Sequence, residues 1–128
     1  SSQDPMTETQ FQTILNDTNS LVQEKIKIKQ IQYSFSKKDF TLQCRPVEIS
    51  QVLLNLISNA IDAVESLPEK WIDLQIEDHT DYAFIRIIDS GNGISDQIED
   101  KIIGNGKPGM VTTQLIHDFE IYCNNYAE

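Results

Sequence analysis

The sequence has little of what would place it in several large classes. Two cysteines, Cys44 and Cys123, are too few and too far apart for a disulfide framework. No Cys/His cluster has the spacing of metal ligands. Basic residues are scarce, 10 Lys and Arg against 20 Asp and Glu, giving a net charge of −10 and a pI near 4.5. That balance argues against a nucleic-acid partner, and the lysines concentrate in one patch, "QEKIKIKQ". An anionic nucleotide would need a divalent metal and backbone N–H groups to offset the field. No uninterrupted apolar run approaches the roughly 18 residues of a membrane span, and no segment has the pattern of a secretory signal. The expectation is a cytoplasmic protein without membrane contact of its own, in a reducing compartment.

A length of 128 residues suits one domain with one core. "SSQDP", residues 1–5, reads as an expression scar, leaving a single domain over residues 6–128. From Thr9 to Lys27, Phe11, Ile14, Leu15, Leu21, Val22 and Ile26 recur at helical spacing. "KQIQYSFS" and "FTLQC" alternate as half-buried strands, and the polar break "SKKD" between them suggests a hairpin. Pro46 opens a second helix, with Glu48 near its positive end, running to about Leu67 before Pro68. Its apolar stripe is Ile49, Val52, Leu53, Leu56, Ile57, Ala60, Val64 and Leu67. "WIDLQIE" and "YAFIRIID" form a second hairpin across "DHTD". Then come a glycine turn "DSGNGIS", a short helix "DQIEDKII", a second glycine turn "GNGKPG", and a last helix or strand through "VTTQLIHDFEIYCNNY".

"NLISNAIDAVE" sets two asparagines one turn apart in an apolar helix, although Asn is a poor helix former. At about 100° per residue, Asn59 lies about 20° from Val52 on the wheel and Asn55 about 40° further round, so both border the stripe, half buried. Asp62 extends that polar edge. The row is either a solvated flank or a set of oxygen ligands facing a cleft, suited to Mg²⁺. Asp89 shares a strand face with Ala83, Ile85 and Ile87, where a carboxylate needs hydrogen-bond donors. Either it bonds backbone N–H groups of its turn, or it accepts a bond from a ligand amine while Gly91 and Gly93 admit a flat ring.

"EISQVLLNLISNAIDAV" and "IRIIDSGNGIS" resemble the N box and first glycine box of the GHKL ATPase superfamily. Within it, the likeness is to the ATP-binding catalytic domain of bacterial sensor histidine kinases, and "NAIDAV" is nearest to nitrogen-regulatory and sporulation types. The resemblance covers about Phe11 to Ile103. It implies a Bergerat-type α/β fold: a two-layer α/β sandwich with a mixed, mostly antiparallel sheet and helices on one face. It implies binding of ATP or ADP with Mg²⁺ for phosphoryl transfer to a histidine outside this chain. Asn59 would ligate the Mg²⁺. Asn55 stands where hydrolytic members keep a general-base Glu, which argues for transfer rather than hydrolysis. Asp89 would recognise the adenine amine, with Gly91, Gly93 and Ile94 beside the ring and Asp62 toward the ribose and phosphates. A histidine-bearing dimerisation domain and a response regulator are the implied partners.

Residues 104–128 depart from that pattern. Arg45 also replaces a capping Asp, at a cost of about 1 kcal/mol. "IGNGKPGM" follows at once where the family has a lid and a second glycine box, so Lys107 and the glycines Gly104, Gly106 and Gly109 are the remaining candidates for phosphate contact. The tail has room for one helix built on Val111, Leu115, Ile116 and Phe119 but not for two closing strands as well. With lid and last strands incomplete, an open sheet edge and a symmetric homodimer are expected. His79 and His117 read as ordinary surface residues, and Trp71 as a hydrophobic anchor. Two rival functions share these features: an anti-sigma-factor type serine kinase, and a degenerate domain acting through protein contacts.

Overall fold

In the computed structural model the described residues are 5–78, 82–91, 99–103, 109–113 and 118–122. Strand β1 (Thr7–Gln10) leads directly into helix α1 (Phe11–Ile28). Gln10 at the N-cap is extended and makes no side-chain cap. The helix start is satisfied from elsewhere: Phe11 N–H donates to Phe40 O at 2.9 Å and Gln12 N–H to Asp39 Oδ1 at 2.9 Å. Thr9 and Gln10, expected in the helix, are therefore strand. Phe11, Ile14, Leu15, Thr18, Val22 and Ile26 form the buried face, whereas Leu21, expected in the stripe, is 66% exposed. The C-terminus closes with Gln30 in the left-handed region, φ 59°; Gln30 N–H donates to Lys27 O at 3.1 Å and Ile31 N–H to Ile26 O at 3.0 Å.

Strands β2 (Gln32–Phe35) and β3 (Thr41–Cys44) occur where the alternation places them, but they do not form the expected hairpin. The link between them is drawn toward α1, because Gln12 Nε2 donates to Ser36 O at 2.9 Å and Lys38 O at 2.7 Å. β3 consequently pairs antiparallel with β1. β2 pairs parallel with β4 (Trp71–Asp78), which forms the expected antiparallel hairpin with β5 (Tyr82–Asp89).

The tail corrects the sequence reading. Residues expected as a short helix form β6 (Glu99–Ile103), and β7 (Gly109–Thr113) and β8 (Asp118–Tyr122) stand where one helix was expected. β8 pairs antiparallel with β5, Ile85 opposite Phe119, so the closing strands expected to be missing are present and the side of β5 away from β4 is covered. Unpaired main-chain groups on that strand are a strong reason for the tail to extend, and Val111, Thr112, Thr113 and Ile121 suit it. The homodimer argued from that edge loses its basis. The sheet order is β2-β4-β5-β8-β7-β6, mixed and mostly antiparallel as expected.

Helix α2 (Pro46–Val64) packs on β4 and β5 with α1 beside it. Leu53, Ile57, Ala60, Ile61 and Val64 of α2 meet a sheet face of Ile72, Leu74, Ala83, Ile85 and Ile87 in one buried cluster. Truncating Leu53 or Ile57 to Ala would cost about 2–5 kcal/mol. α2 is long and apolar enough to cross a membrane by length and composition, but here it is the core helix.

Candidate functional site

Pro46 occupies the first turn of α2, Glu48 lies in that turn, and Arg45 provides no side-chain cap. The helix ends at Val64, three residues short of the expected Leu67. Its wheel fixes what faces the sheet and what faces out. Asn59 is half-buried, Asn55 is exposed rather than half-buried, and Asp62 is exposed, in the order of their angular distance from the apolar stripe. Asn55, Asn59 and Ala63 fall at intervals of four and so form one row along the helix.

That row leads to the end of β5. A Cβ placed on Gly91 would lie 3.4 Å from Ala63 O and 3.5 Å from Ala63 Cβ, so the turn after β5 abuts the last turn of α2. The same Cβ would come within 2.9 Å of Asp89 Oδ1. Only glycine leaves the carboxylate in place.

Asp89 ends the strand whose inward residues Ala83, Ile85 and Ile87 are fully buried, and it is itself half-buried. Its Oδ1 accepts the Gly91 N–H at 2.7 Å, the turn role open to an Asp at this position. Its Oδ2 is shielded from solvent. A shielded carboxylate oxygen beside a residue without a side chain suits a planar ligand carrying an amine, because a charge-assisted bond gains strength away from water.

The sequence reading missed Ser90, which fixes this turn. Its N–H donates to Trp71 O at 3.1 Å, its Oγ accepts the Trp71 N–H at 3.1 Å, and its Oγ donates to Glu69 O at 2.8 Å. The exit of β5 is thereby tied to the entry of β4, where Ile72 faces Asp89 in the ladder. A Ser directly after a strand-ending Asp was the available signal. Trp71, expected as an anchor, is half-buried.

The structure therefore sets Asp89 and Gly91 beside the last turn of α2, with Asn59 one turn back from Ala63 on the same row, while Asn55 and Asp62 are exposed. Gly93, Ile94, Gly104, Gly106 and Lys107 lie outside the described residues, as do His79, His117 and Cys123, while Gly109 begins β7. Among the described residues no three His, Cys, Asp or Glu side chains converge to hold a metal. A hard cation at Asn59 would thus have to share its coordination with ligand oxygens and water.

Comparison with known proteins agrees with this fold. Residues 44–117 match the family described as histidine kinase-, DNA gyrase B- and HSP90-like ATPases. An NtrY-like sensor histidine kinase of Rickettsia felis is 31% identical over 85 residues, 65% of this chain and 14% of that protein. Its counterpart in Rickettsia bellii is 28% identical over 99 residues, 75% of this chain and 16% of that protein. The chain thus spans about a seventh of the length of these relatives. The catalytic domain of histidine kinase ThkA superposes with a TM-score of 0.69 at 21% identity, covering 92% of this chain and 95% of that one. The Acinetobacter baumannii histidine kinase AdeS gives 0.68 at 14% identity, covering 96% and 69%. By the matched segment, which takes in the asparagine helix, β5 and Asp89, the chain belongs to the family of histidine kinase-, DNA gyrase B- and HSP90-like ATPases.

Proposed function

We propose that this domain binds Mg·ATP between α2 and the turn after β5 and presents it for phosphoryl transfer to a histidine outside this chain. The observation that carries the reading is the arrangement of Asp89, shielded and held beside Gly91, against the end of the helix that bears Asn59. Asp89 accepts the exocyclic amine of adenine. Gly91 lets the ring approach the main chain, and Asn59 offers its side-chain oxygen to the metal. When bound, Mg²⁺ neutralises phosphate charge, which a chain of net charge −10 otherwise repels. Asp62 is the candidate for the ribose and phosphate side, and Gly93, Ile94 and Lys107, outside the described residues, are the further candidates for ring and phosphate contact.

Asn55 supports transfer over hydrolysis, since an amide does not deprotonate water. Catalysis then consists of positioning and charge neutralisation, so the domain binds nucleotide without turning it over unless a histidine is delivered to it. The relatives, sensor histidine kinases of which the matched stretch makes up only 14% and 16%, support such a setting. ThkA has been seen in complex with the response regulator TrrA, and a regulator of that kind is the partner proposed for the full system. The site belongs to the cytoplasmic part of a bacterial sensor.

Calorimetric titration with ATP, ADP and GTP, with and without Mg²⁺, tests the reading. Adenine nucleotides should bind and GTP should not, because guanine presents a carbonyl where adenine presents an amine. Asp89→Asn should weaken ATP by about 1.5–3 kcal/mol. Asn59→Ala should remove the Mg²⁺-dependent part of ATP affinity while adenosine binding persists. Equal binding of GTP and ATP would refute the assignment.

A further inference from the structure

Lys25, Lys27, Lys29, Lys37 and Lys38 make up half of the chain's 10 basic residues, and residues 25–38 contain no acid, in a chain of net charge −10. They flank β2, which is an edge strand. It pairs with β4 on one side, and among the described residues no strand lies on the other. The ladder fixes which main-chain groups face outward. Gln32 N–H donates to Lys70 O and Ser36 N–H to Leu74 O, both at 2.9 Å, so the even residues face β4. Ile31 N–H turns the other way, to Ile26 O at 3.0 Å. The N–H and C=O groups of Tyr33 and Phe35 therefore project toward the open side.

Beside this edge, α1 and β2 enclose a groove of about 500 Å³, lined by Asn16, Asn19, Gln23, Lys27, Tyr33 and Phe35 among others. Tyr33 OH donates to Asn19 Oδ1 at 2.7 Å, which orients the amide and leaves Asn19 Nδ2 as a buried donor without an acceptor among the described residues. Such a donor is costly until an acceptor arrives. Lys27 stands at the groove and the Lys37 ammonium lies 5.0 Å over the Phe35 ring.

We infer that the open edge of β2 and the groove it shares with α1 bind an extended acidic segment of a partner protein, which adds as a strand beside β2. Main-chain bonds to Tyr33 and Phe35 set its path, and its alternate side chains enter the groove, where carboxylates meet the exposed Lys27 and Lys37 and lie next to Asn19. Lysines often guard an edge against pairing. Here they flank the strand, while Gln32–Phe35 itself is uncharged and leaves the ladder positions open. A second copy of this chain fits poorly, because two β2 edges side by side would oppose two lysine clusters.

The test uses the whole chain and a capped nine-residue peptide alternating Thr and Glu, labelled for fluorescence anisotropy at low salt. The peptide should bind and should slow amide hydrogen exchange at Tyr33 and Phe35. The double variant Lys27→Glu/Lys37→Glu should weaken binding at least tenfold and keep its fold by circular dichroism, both lysines being exposed. Binding of the wild type to ATP, measured alongside, separates this surface from the nucleotide site. No binding, binding without exchange protection, equal binding of a Thr–Lys peptide or of oligothymidylate, or protection that appears with protein concentration alone would each overturn the inference.

Discussion

Ser90 and Trp71 hold one another by two hydrogen bonds of 3.1 Å, each residue's N–H donating to the other, once to a main-chain oxygen and once to a hydroxyl. The hydroxyl also donates to Glu69 O at 2.8 Å. Ser90→Ala strips partners from two main-chain groups and should cost about 1–2 kcal/mol in urea unfolding. Because Asp89 is the preceding residue, adenosine affinity should fall severalfold, and Ser90→Thr should restore both. Normal stability and affinity in the alanine variant would show that the clip positions nothing.

Gly91→Ala separates binding from folding more sharply. The added methyl would sit 2.9 Å from Asp89 Oδ1, and the carboxylate, attached by two rotatable bonds, yields more readily than the Ala63 main chain at 3.4 Å. The expected result is a loss of adenine-nucleotide affinity of tenfold or more with a melting temperature lowered by only a few degrees. Unchanged affinity by calorimetry would place the ligand elsewhere.

Tyr33 predicts an alkaline limit to stability. Burial pushes its phenol well above the ordinary value of 10, against a smaller opposing effect of its hydrogen bond to Asn19. Above pH 10 the unfolded chain releases this proton while the folded chain keeps it, so unfolding becomes more favourable as pH rises. The contribution is fully present below pH 10 and is lost progressively above it. Tyr33→Phe should flatten that decline in melting curves taken from pH 8 to 11, at a cost near neutrality of about 1 kcal/mol for the lost bond.

Gln30 offers a gain. At φ 59° it pays a steric cost that glycine does not, and its side chain is exposed. Gln30→Gly should raise stability by about 0.5–1 kcal/mol after glycine's entropic cost in the unfolded chain is counted. Chemical denaturation reads this directly, and a lower midpoint would mean that the Gln30 side chain contributes more than its backbone costs.

The asparagine helix and the β4–β5 hairpin were legible because each carries its own period: the stripe from Ile49 to Val64, and the alternation of Ala83, Ile85, Ile87 and Asp89. Partner choice was not. Nothing within "QYSF" says that β2 lies parallel to β4, since Gln12, far away in sequence, captures Ser36 O and Lys38 O and directs the chain. The tail was misread for a related reason. Val111, Leu115, Ile116 and Phe119 fit helical spacing, yet the unsatisfied side of β5 is a long-range demand that local periodicity does not contain. At the site, the residue types of Asp89 and Gly91 announced themselves, whereas Ser90 acts through main-chain oxygens that become its neighbours only after β4 and β5 pair.

β5 is flanked by β4, its immediate neighbour in sequence, and by β8, which begins at Asp118, far downstream. One side of the strand can zip within a short hairpin, while the other waits for a long loop to close and for two intervening strands to be laid down. As the chain is synthesised or refolds, the strand that carries Asp89 thus passes through a stage with its helices packed and one flank bare. Compactness should come early, and the firm seating of the carboxylate should come late.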